Sequence, residues 1–274
     1  GNEAYGNGSH GIIFSRGVVD GIVRDNHSHD NGGNGIVMDF ESDRNLVEGN
    51  LVEDNQGDGI VILGSSGVTV RDNLVRGNRV GVRLNNQGAG SLVERNRIVG
   101  NEVGVEVYGG AHDTRLRSNR IAGSVDTGIV LEEAGATSRG DAVSGGSVGV
   151  EIRAPASLEG TRIEGAETGV RVTERGIAAI RGVDVEAHEL GVEVAPGGVV
   201  RLERSTVRAA TPVSGDLRSD LDNDLGRPLG SLPWFAIAGV TFVVLAFVLQ
   251  VVHRTRDRAT RRPRSAPEGV VTVR

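Results

Sequence analysis

Residues 45–62 read NLVEGNLVEDNQGDGIVI. Three short runs of branched apolar residues, at 46–47, 51–52 and 60–62, are parted by asparagine and glycine. Such runs read as strands, and the Asn/Gly breaks as turns. No run is long enough to be a helix, and none has its 3.6-residue period. The pattern returns on both sides of this stretch. A glycine followed by Ile or Val recurs at Gly11, Gly35, Gly59, Gly81, Gly104, Gly128, Gly149, Gly169 and Gly191, at intervals of 20 to 24 residues. Asn26, Asn50, Asn73, Asn96 and Asn119 keep step. All but the last have a second asparagine five residues on: Asn31, Asn55, Asn78 and Asn101. A fixed period in the low twenties belongs to a solenoid. Leucine-rich repeats share the period, but their LxxLxLxxN frame is missing. The spacing therefore predicts an all-β parallel β-helix solenoid of about nine to ten coils, with two or three short strands in each.

Stacking the repeats predicts what lies inside. The residues after the glycines (Ile12, Ile36, Ile60, Val82 and onward) form one inward column. Phe14, Met38, Ile62, Leu84 and their successors form a second, and the residue between them points out. Two positions before the ladder asparagines stand Arg24, Glu48, Arg71, Glu94 and Arg117, whose alternating signs predict a structural charge ladder. The asparagines are read as corner residues that adopt the left-handed conformation and bond the amide above and below. After Gly123 the ladder gives way to Asp141, Thr161 and Ser205, and the C-terminal coils read as a spacer.

Composition narrows the function. The chain of 274 residues has no cysteine, which excludes disulfides, thiolate chemistry and soft metal sites. Of its eight aromatic residues, four (Trp234, Phe235, Phe242, Phe247) fall in one late segment, too few elsewhere for an ordinary globular core. Residues 234–252, WFAIAGVTFVVLAFVLQVV, carry no charge and would span roughly 28 Å as a helix, the thickness of a hydrocarbon core. HRTRDRATRRPR follows, so the C-terminus is expected in the cytoplasm and the rest outside the cell membrane. Residues 1–232 hold 23 arginines against 34 acids, and the remainder seven against two. A net-negative ectodomain argues against nucleic acid. An acidic polysaccharide remains open, since it needs only a local cationic groove. The expected layout is a β-helix ectodomain over 1–208, a cap or linker over 209–232, a single transmembrane helix over 233–252 and a basic tail over 253–274. Asn2, Asn7 and Gly11 repeat the later spacing, which puts Gly1 mid-coil. A fragment lacking a coil, a cap and a signal is the expectation.

HGIIFSRG (10–17), DNHSHDNGGNGIVMD (25–39) and the NLVEGNLVEDNQGDGIVI and NLVRGNRVGVRL coils resemble the right-handed parallel β-helix enzymes of the mannuronan C5-epimerase type. They also resemble the copper-accessory β-helix proteins that share the repeat. The similarity covers about residues 1–122. It implies removal of the C5 proton of a carboxylate-bearing sugar and its return from the opposite face. By that resemblance Arg16 neutralises the substrate carboxylate, Asp39 stands beside an active-site aspartate position, and His10 lies nearby. His27, His29, Tyr5 and Phe40 would contact substrate. The family's Asp-Pro-His-Asp strand, which supplies its base, is absent from this chain; its place would be upstream of Gly1.

Each residue also has an ordinary reading. Arg16 suits a solvated strand end and His10 a polar corner. His27, His29 and Asp30 are ligand types, but positions i and i+2 of one strand supply two metal ligands at most, so no metal site is read. Asp39, Glu41 and Asp43 form an acidic loop that could hold Ca²⁺; no other cofactor is expected. Two functions follow. One is a membrane-anchored, extracellular polysaccharide-active enzyme, most like a uronan C5-epimerase or related lyase. The other is a non-catalytic surface solenoid that binds glycan or spaces a binding face from the membrane. The individual polysaccharide and the oligomeric state leave no mark in the sequence.

Overall fold

The computed structural model describes residues 1–227 of the 274. They form a parallel β-helix with three faces. The first face begins with strands Glu3–Tyr5, His27–His29, Leu51–Glu53, Leu74–Arg76, Arg97–Val99, Arg120–Ala122 and Ala142–Ser144. The second begins with Ile12–Ser15, Ile36–Asp39, Ile60–Leu63 and Val80–Asn85. The third is a 10-stranded sheet that runs from Ile22–Arg24 to Leu217–Leu221, one strand per coil. Ten coils are thus complete, and Asp224–Gly226 begins another on the first face. Strands continue through Thr211–Ser214 and Leu217–Leu221, so the solenoid runs into the stretch expected to be a cap or linker. Among the described residues no helix is long and apolar enough to cross a membrane. The span expected at 233–252 and the tail at 253–274 lie outside the described residues.

The predicted columns are observed. Ile12, Ile36, Ile60 and Val82 lie in register, as do Phe14, Met38, Ile62 and Leu84. From Ile36 and Met38 through Val172 both columns are buried. A third column, Val52, Val75, Ile98 and Ile121, fills the core from the first face. The recurring glycine is explained by close approach between coils. A Cβ on Gly59 would lie 2.4 Å from Val75 Cγ1 and 2.7 Å from the Gly81 carbonyl oxygen.

The asparagines behave differently from expectation in one respect. The left-handed residue is the one before each: Asp25, Gly49, Asp72, Arg95 and Ser118 have φ between 53° and 65°. The asparagine itself turns into the buried corner. Asn73 Oδ1 accepts from both the N–H and the Nδ2 of Asn50, each at 2.9 Å. Asn73 Nδ2 donates to the Val47 carbonyl and to Asn96 Oδ1. This pattern runs from Asn2 to Asn119 and ends on Asp141 Oδ1. A second ladder runs from Asn7 to Asn101. Two more coils keep a broken corner, at Ser124 and at Gly145–Gly146, and then it is lost. Strands Arg162–Val172 and Asp184–Val194 cross from the first face to the second without a break, with a bulge between Glu164 and Thr168.

The charge ladder forms on the third face. Glu48 bridges Arg24 at 2.7 Å and Arg71 at 2.6 Å, while Glu94 turns to its neighbour Arg95. Such exposed pairs contribute about 0–1 kcal/mol each. The buried amides matter more. Asn73→Ala strands the backbone N–H of Asn50 and takes a donor from the Val47 carbonyl, while the Asn50 amide keeps the Val23 and Glu48 carbonyls, and should lower unfolding stability by about 2–3 kcal/mol. Urea unfolding of the full chain checks this; a loss under about 1 kcal/mol would show that the ladder does not hold the corner.

Candidate functional site

A β-helix face repeats the same two outward positions in every coil, so residues some 23 apart in sequence become neighbours. On the first face one outward column reads Glu3, His27, Leu51, Leu74, Arg97, Arg120, Ala142, Arg162. The other reads Tyr5, His29, Glu53, Arg76, Val99, Ala122, Ser144, Glu164. Two groups of chemistry-bearing residues lie along this face.

The first group occupies the N-terminal coils. Tyr5 stacks on His29 with ring centroids 5.2 Å apart and planes at 5°, and His29 stacks on His27 at 4.0 Å. Carboxylates surround the imidazoles. Glu53 meets His27 Nε2 at 2.8 Å, and Asp30 meets His29 Nδ1 at 2.6 Å. Glu3 Oε1 lies 3.2 Å from His29 Nε2 and 3.9 Å from His27 Nδ1. Arg76 pairs with the other oxygen of Glu53. The hydrogen bond to Asp30, and then that to Glu3, raises the His29 pKa. The limit of two ligands from one strand does not apply, because the preceding coil supplies a third. Glu3, His27 and His29 are the one group of three such ligands that the described residues bring within 4.8 Å of one another. Asp39, Glu41 and Asp43 form no such group: Asp39 meets Ser15 Oγ and Asp43 caps the Ser66 N–H.

The second group is a shallow trough of about 360 Å³ on coils five to eight, walled by Arg97, Arg120, Arg162 and Glu164 and floored by small residues, Ala122, Ala142 and Ser144. Arg97 and Arg120 are in register on adjacent strands and exposed, and neither makes an ion pair among the described residues. Like charges directly opposite one another are destabilising. An anion lying over the two guanidinium groups would relieve that repulsion. Part of the trough lies in coils that the sequence reading assigned to a spacer. Arg97 and Arg120 each follow a ladder asparagine, as His27 follows Asn26, so stacking that position would have found them.

The remaining expected site residues lie elsewhere. His10 sits at the corner between the first and second faces, its Nδ1 accepting from the Asn34 N–H at 3.0 Å. Arg16 and Phe40 stand one above the other at the opposite end of the second face. Both have positive φ, 52° and 25°, in the region that side chains rarely adopt. Asp39 joins them through Ser15. His10 and Arg16 are six residues apart along an extended strand, roughly 20 Å. The structure therefore brings Tyr5, His27 and His29 together, and Arg16, Asp39 and Phe40 together, as two separate groups. Burial pushes the carboxyls of Asp58 and Asp141 up. Both are enclosed by partners, Arg79 and Arg83 for one, Ser138 and Asn119 for the other, and belong to the scaffold.

Residues 1–121 match the family described as a right handed beta helix region. No curated protein matches the chain. Among solved structures the chain is similar to the A-module of the Azotobacter vinelandii mannuronan C-5 epimerase AlgE4, with a TM-score of 0.60 and 16% identity, covering 82% of this chain and 72% of that one. It is also similar to the catalytic unit of a GH87 alpha-1,3-glucanase from Streptomyces thermodiastaticus strain HF3-3 (0.57, 14%, 81% and 52%). A third likeness is to the alginate lyase from Paenibacillus sp. str. FPU-7 (0.53, 10%, 83% and 98%). The chain thus spans about half the length of the glucanase unit. The fold is a right-handed parallel β-helix that resembles the mannuronan C5-epimerases.

The geometry around His29 is checked by its titration. In chelator-treated protein its NMR midpoint should lie above the ordinary histidine value of about 6.5. Asp30→Asn should lower it. A raised value stabilises the fold below the ordinary value, and that stabilisation is lost as pH rises through the folded midpoint. A midpoint at or below about 6.5 in the parent protein contradicts the pairing.

Proposed function

We propose that this protein is a polysaccharide-active β-helix that lays an acidic polysaccharide along its first face. The observation that carries the reading is the exposed pair Arg97 and Arg120, with Arg162, itself paired to Glu164, two coils further on, over a floor of small residues. Guanidinium groups suit carboxylates, which they bind through two parallel hydrogen bonds. The coils recur about every 4.8 Å, comparable to the length of one sugar ring, so successive uronates can meet successive coils. A chain seated on the arginines and running toward the N-terminal coils reaches His27 after three more coils, roughly 14 Å. There it meets Tyr5, His27 and His29, side chains of a type that stacks on sugars and transfers protons.

The reaction proposed is proton abstraction at C5 of a uronan, as in an epimerase or a lyase. Neutralising the carboxylate makes the C5 proton removable, and the arginine column supplies that charge. Arg16 and Asp39 are a second form of the same reading, with the reacting sugar held at the corner beyond the second face and Phe40 beside it; His10, at the opposite end of that face, takes no part in it. The ectodomain is proposed to stand outside the cell membrane, held by the apolar run at 233–252. The uncharged length of that run and the arginines after it support this. One observation favours a non-catalytic glycan-binding solenoid instead: Arg16 and the histidine pair lie in different groups, so no single cluster holds both a carboxylate clamp from the resemblance and a base.

Incubation of the full chain with polymannuronate, followed in the anomeric region of the ¹H NMR spectrum, separates these outcomes. Signals of C5-inverted residues show an epimerase, and unsaturated uronyl ends show a lyase. Saturable binding without turnover supports the binding solenoid, and neither binding nor turnover ends the proposal. Arg97→Ala and Arg120→Ala should each weaken binding about 10- to 100-fold, as loss of a hydrogen bond between charged groups does. Arg16→Ala should leave binding unchanged if the trough is the seat, and abolish turnover if the corner is.

A further inference from the structure

Glu3, His27 and His29 have a geometry that sugar binding does not use. Each imidazole has one nitrogen held from behind by a carboxylate, His27 Nε2 by Glu53 and His29 Nδ1 by Asp30. The other two nitrogens, His27 Nδ1 and His29 Nε2, converge on Glu3 Oε1. One ligand atom from each of the three residues lies within 4.8 Å of the other two. Two ligands bound to one first-row cation at about 2.0–2.2 Å lie roughly 3.0–3.5 Å apart. The Glu3–His29 distance of 3.2 Å already meets that spacing; the Glu3–His27 distance of 3.9 Å, and the stacking of the two rings, require the His27 ring to turn so that both in-plane lone pairs meet one cation.

The outer carboxylates are the second observation. A ligating histidine nearly always donates its remaining N–H to a carboxylate, carbonyl or water. This fixes the tautomer and leaves the inner nitrogen's lone pair free for the metal. Both histidines here have that partner, each from a different place in the fold: Asp30 follows His29 in the chain, and Glu53 comes from the next coil. Three carboxylates, Glu3, Asp30 and Glu53, crowd the pair, and among the described residues only Glu53 has an arginine partner. A cation at the centre would offset that excess.

We propose that Glu3, His27 and His29 form a binding site for a divalent first-row transition cation, with Asp30 and Glu53 holding the two imidazoles in place. Two imidazoles and one carboxylate suit Zn²⁺ and its neighbours in the row, whereas Ca²⁺ takes six or more oxygens. All three ligands are on the outer face, so the remaining coordination positions open to water or to a ligand lying on the first face. With the cation bound, the histidines are ligands, so the proton transfer proposed for them belongs to the cation-free chain. The site stands whether or not the polysaccharide reading does.

Isothermal titration of the chelator-treated full chain with Zn²⁺ tests this, with Co²⁺ absorption as a report on nitrogen ligation. One equivalent should bind. His27→Ala and His29→Ala should each weaken binding more than about a hundredfold, and Asp30→Asn and Glu53→Gln about 10- to 100-fold. Circular dichroism should show the fold intact, because all these side chains point outward. Arg120→Ala should leave Zn²⁺ binding unchanged while weakening polysaccharide binding, so either proposal can fail alone. Absence of stoichiometric Zn²⁺ binding would overturn the site. So would full affinity in both folded histidine variants, or loss of binding on neutralising Asp39, Glu41 and Asp43 instead.

Discussion

The hydrogen bond from one asparagine amide to the next is the interaction on which the other features depend. A solenoid coil must turn a corner while keeping its backbone polar groups paired, since an unpaired buried group costs about 1–3 kcal/mol. Here the asparagine supplies the missing partners. Its oxygen takes two N–H groups from the coil before, and its Nδ2 reaches a carbonyl of that coil and the oxygen of the coil after. The bond ties equivalent points of successive coils, so it sets strand register. Register aligns the apolar columns inside and, by the same two-residue alternation, the charged columns outside. Glu3 meets His29, and Arg97 lies beside Arg120, because the corners are pinned.

The same dependence explains where the architecture changes. The second ladder ends at Asn101, and Ser124 takes the next corner. The first ends on the carboxyl of Asp141, which accepts from Asn119 but has no amide to pass on. Two coils later the strands run straight across the former corner, with a bulge where the turn had been. Alanines then fill the inside: Ala166 and Ala187 are buried and in register. The later coils are held by apolar packing and strand pairing where the earlier ones also have the amide network.

Most of the fold was legible because its signal is repetitive. The glycine and asparagine periods gave the coil length, and the residues after each glycine gave the core. The corner geometry was misjudged by one position. Left-handed backbone is a property of the asparagine type, but a buried amide ladder needs the side chain turned inward, and the preceding residue takes the strained conformation. The site was legible only along the strand. Tyr5, His27 and His29 could be named by type, while Glu3, Glu53, Arg76 and Arg97 were not, since the first-face columns, unlike the second-face ones, were not stacked coil on coil. Their significance comes from the coils on either side. The count of two metal-ligand types for the histidines was made along one strand, whereas Glu3, from the preceding coil, stands beside both.

The pinned corners have a consequence for what the first face can recognise. Its outward groups stand on a lattice of fixed pitch, about 4.8 Å per coil, that cannot stretch to suit a ligand. A polymer whose own repeat differs slightly from that pitch drifts out of phase as it runs along the axis. Across the three or four coils that carry Arg97, Arg120 and Arg162 the drift stays small, and over the full length of the solenoid it accumulates. If the first face holds a polymer as proposed, its selectivity would come from commensurability, and the useful length of the face would be the distance over which the two rhythms stay in step.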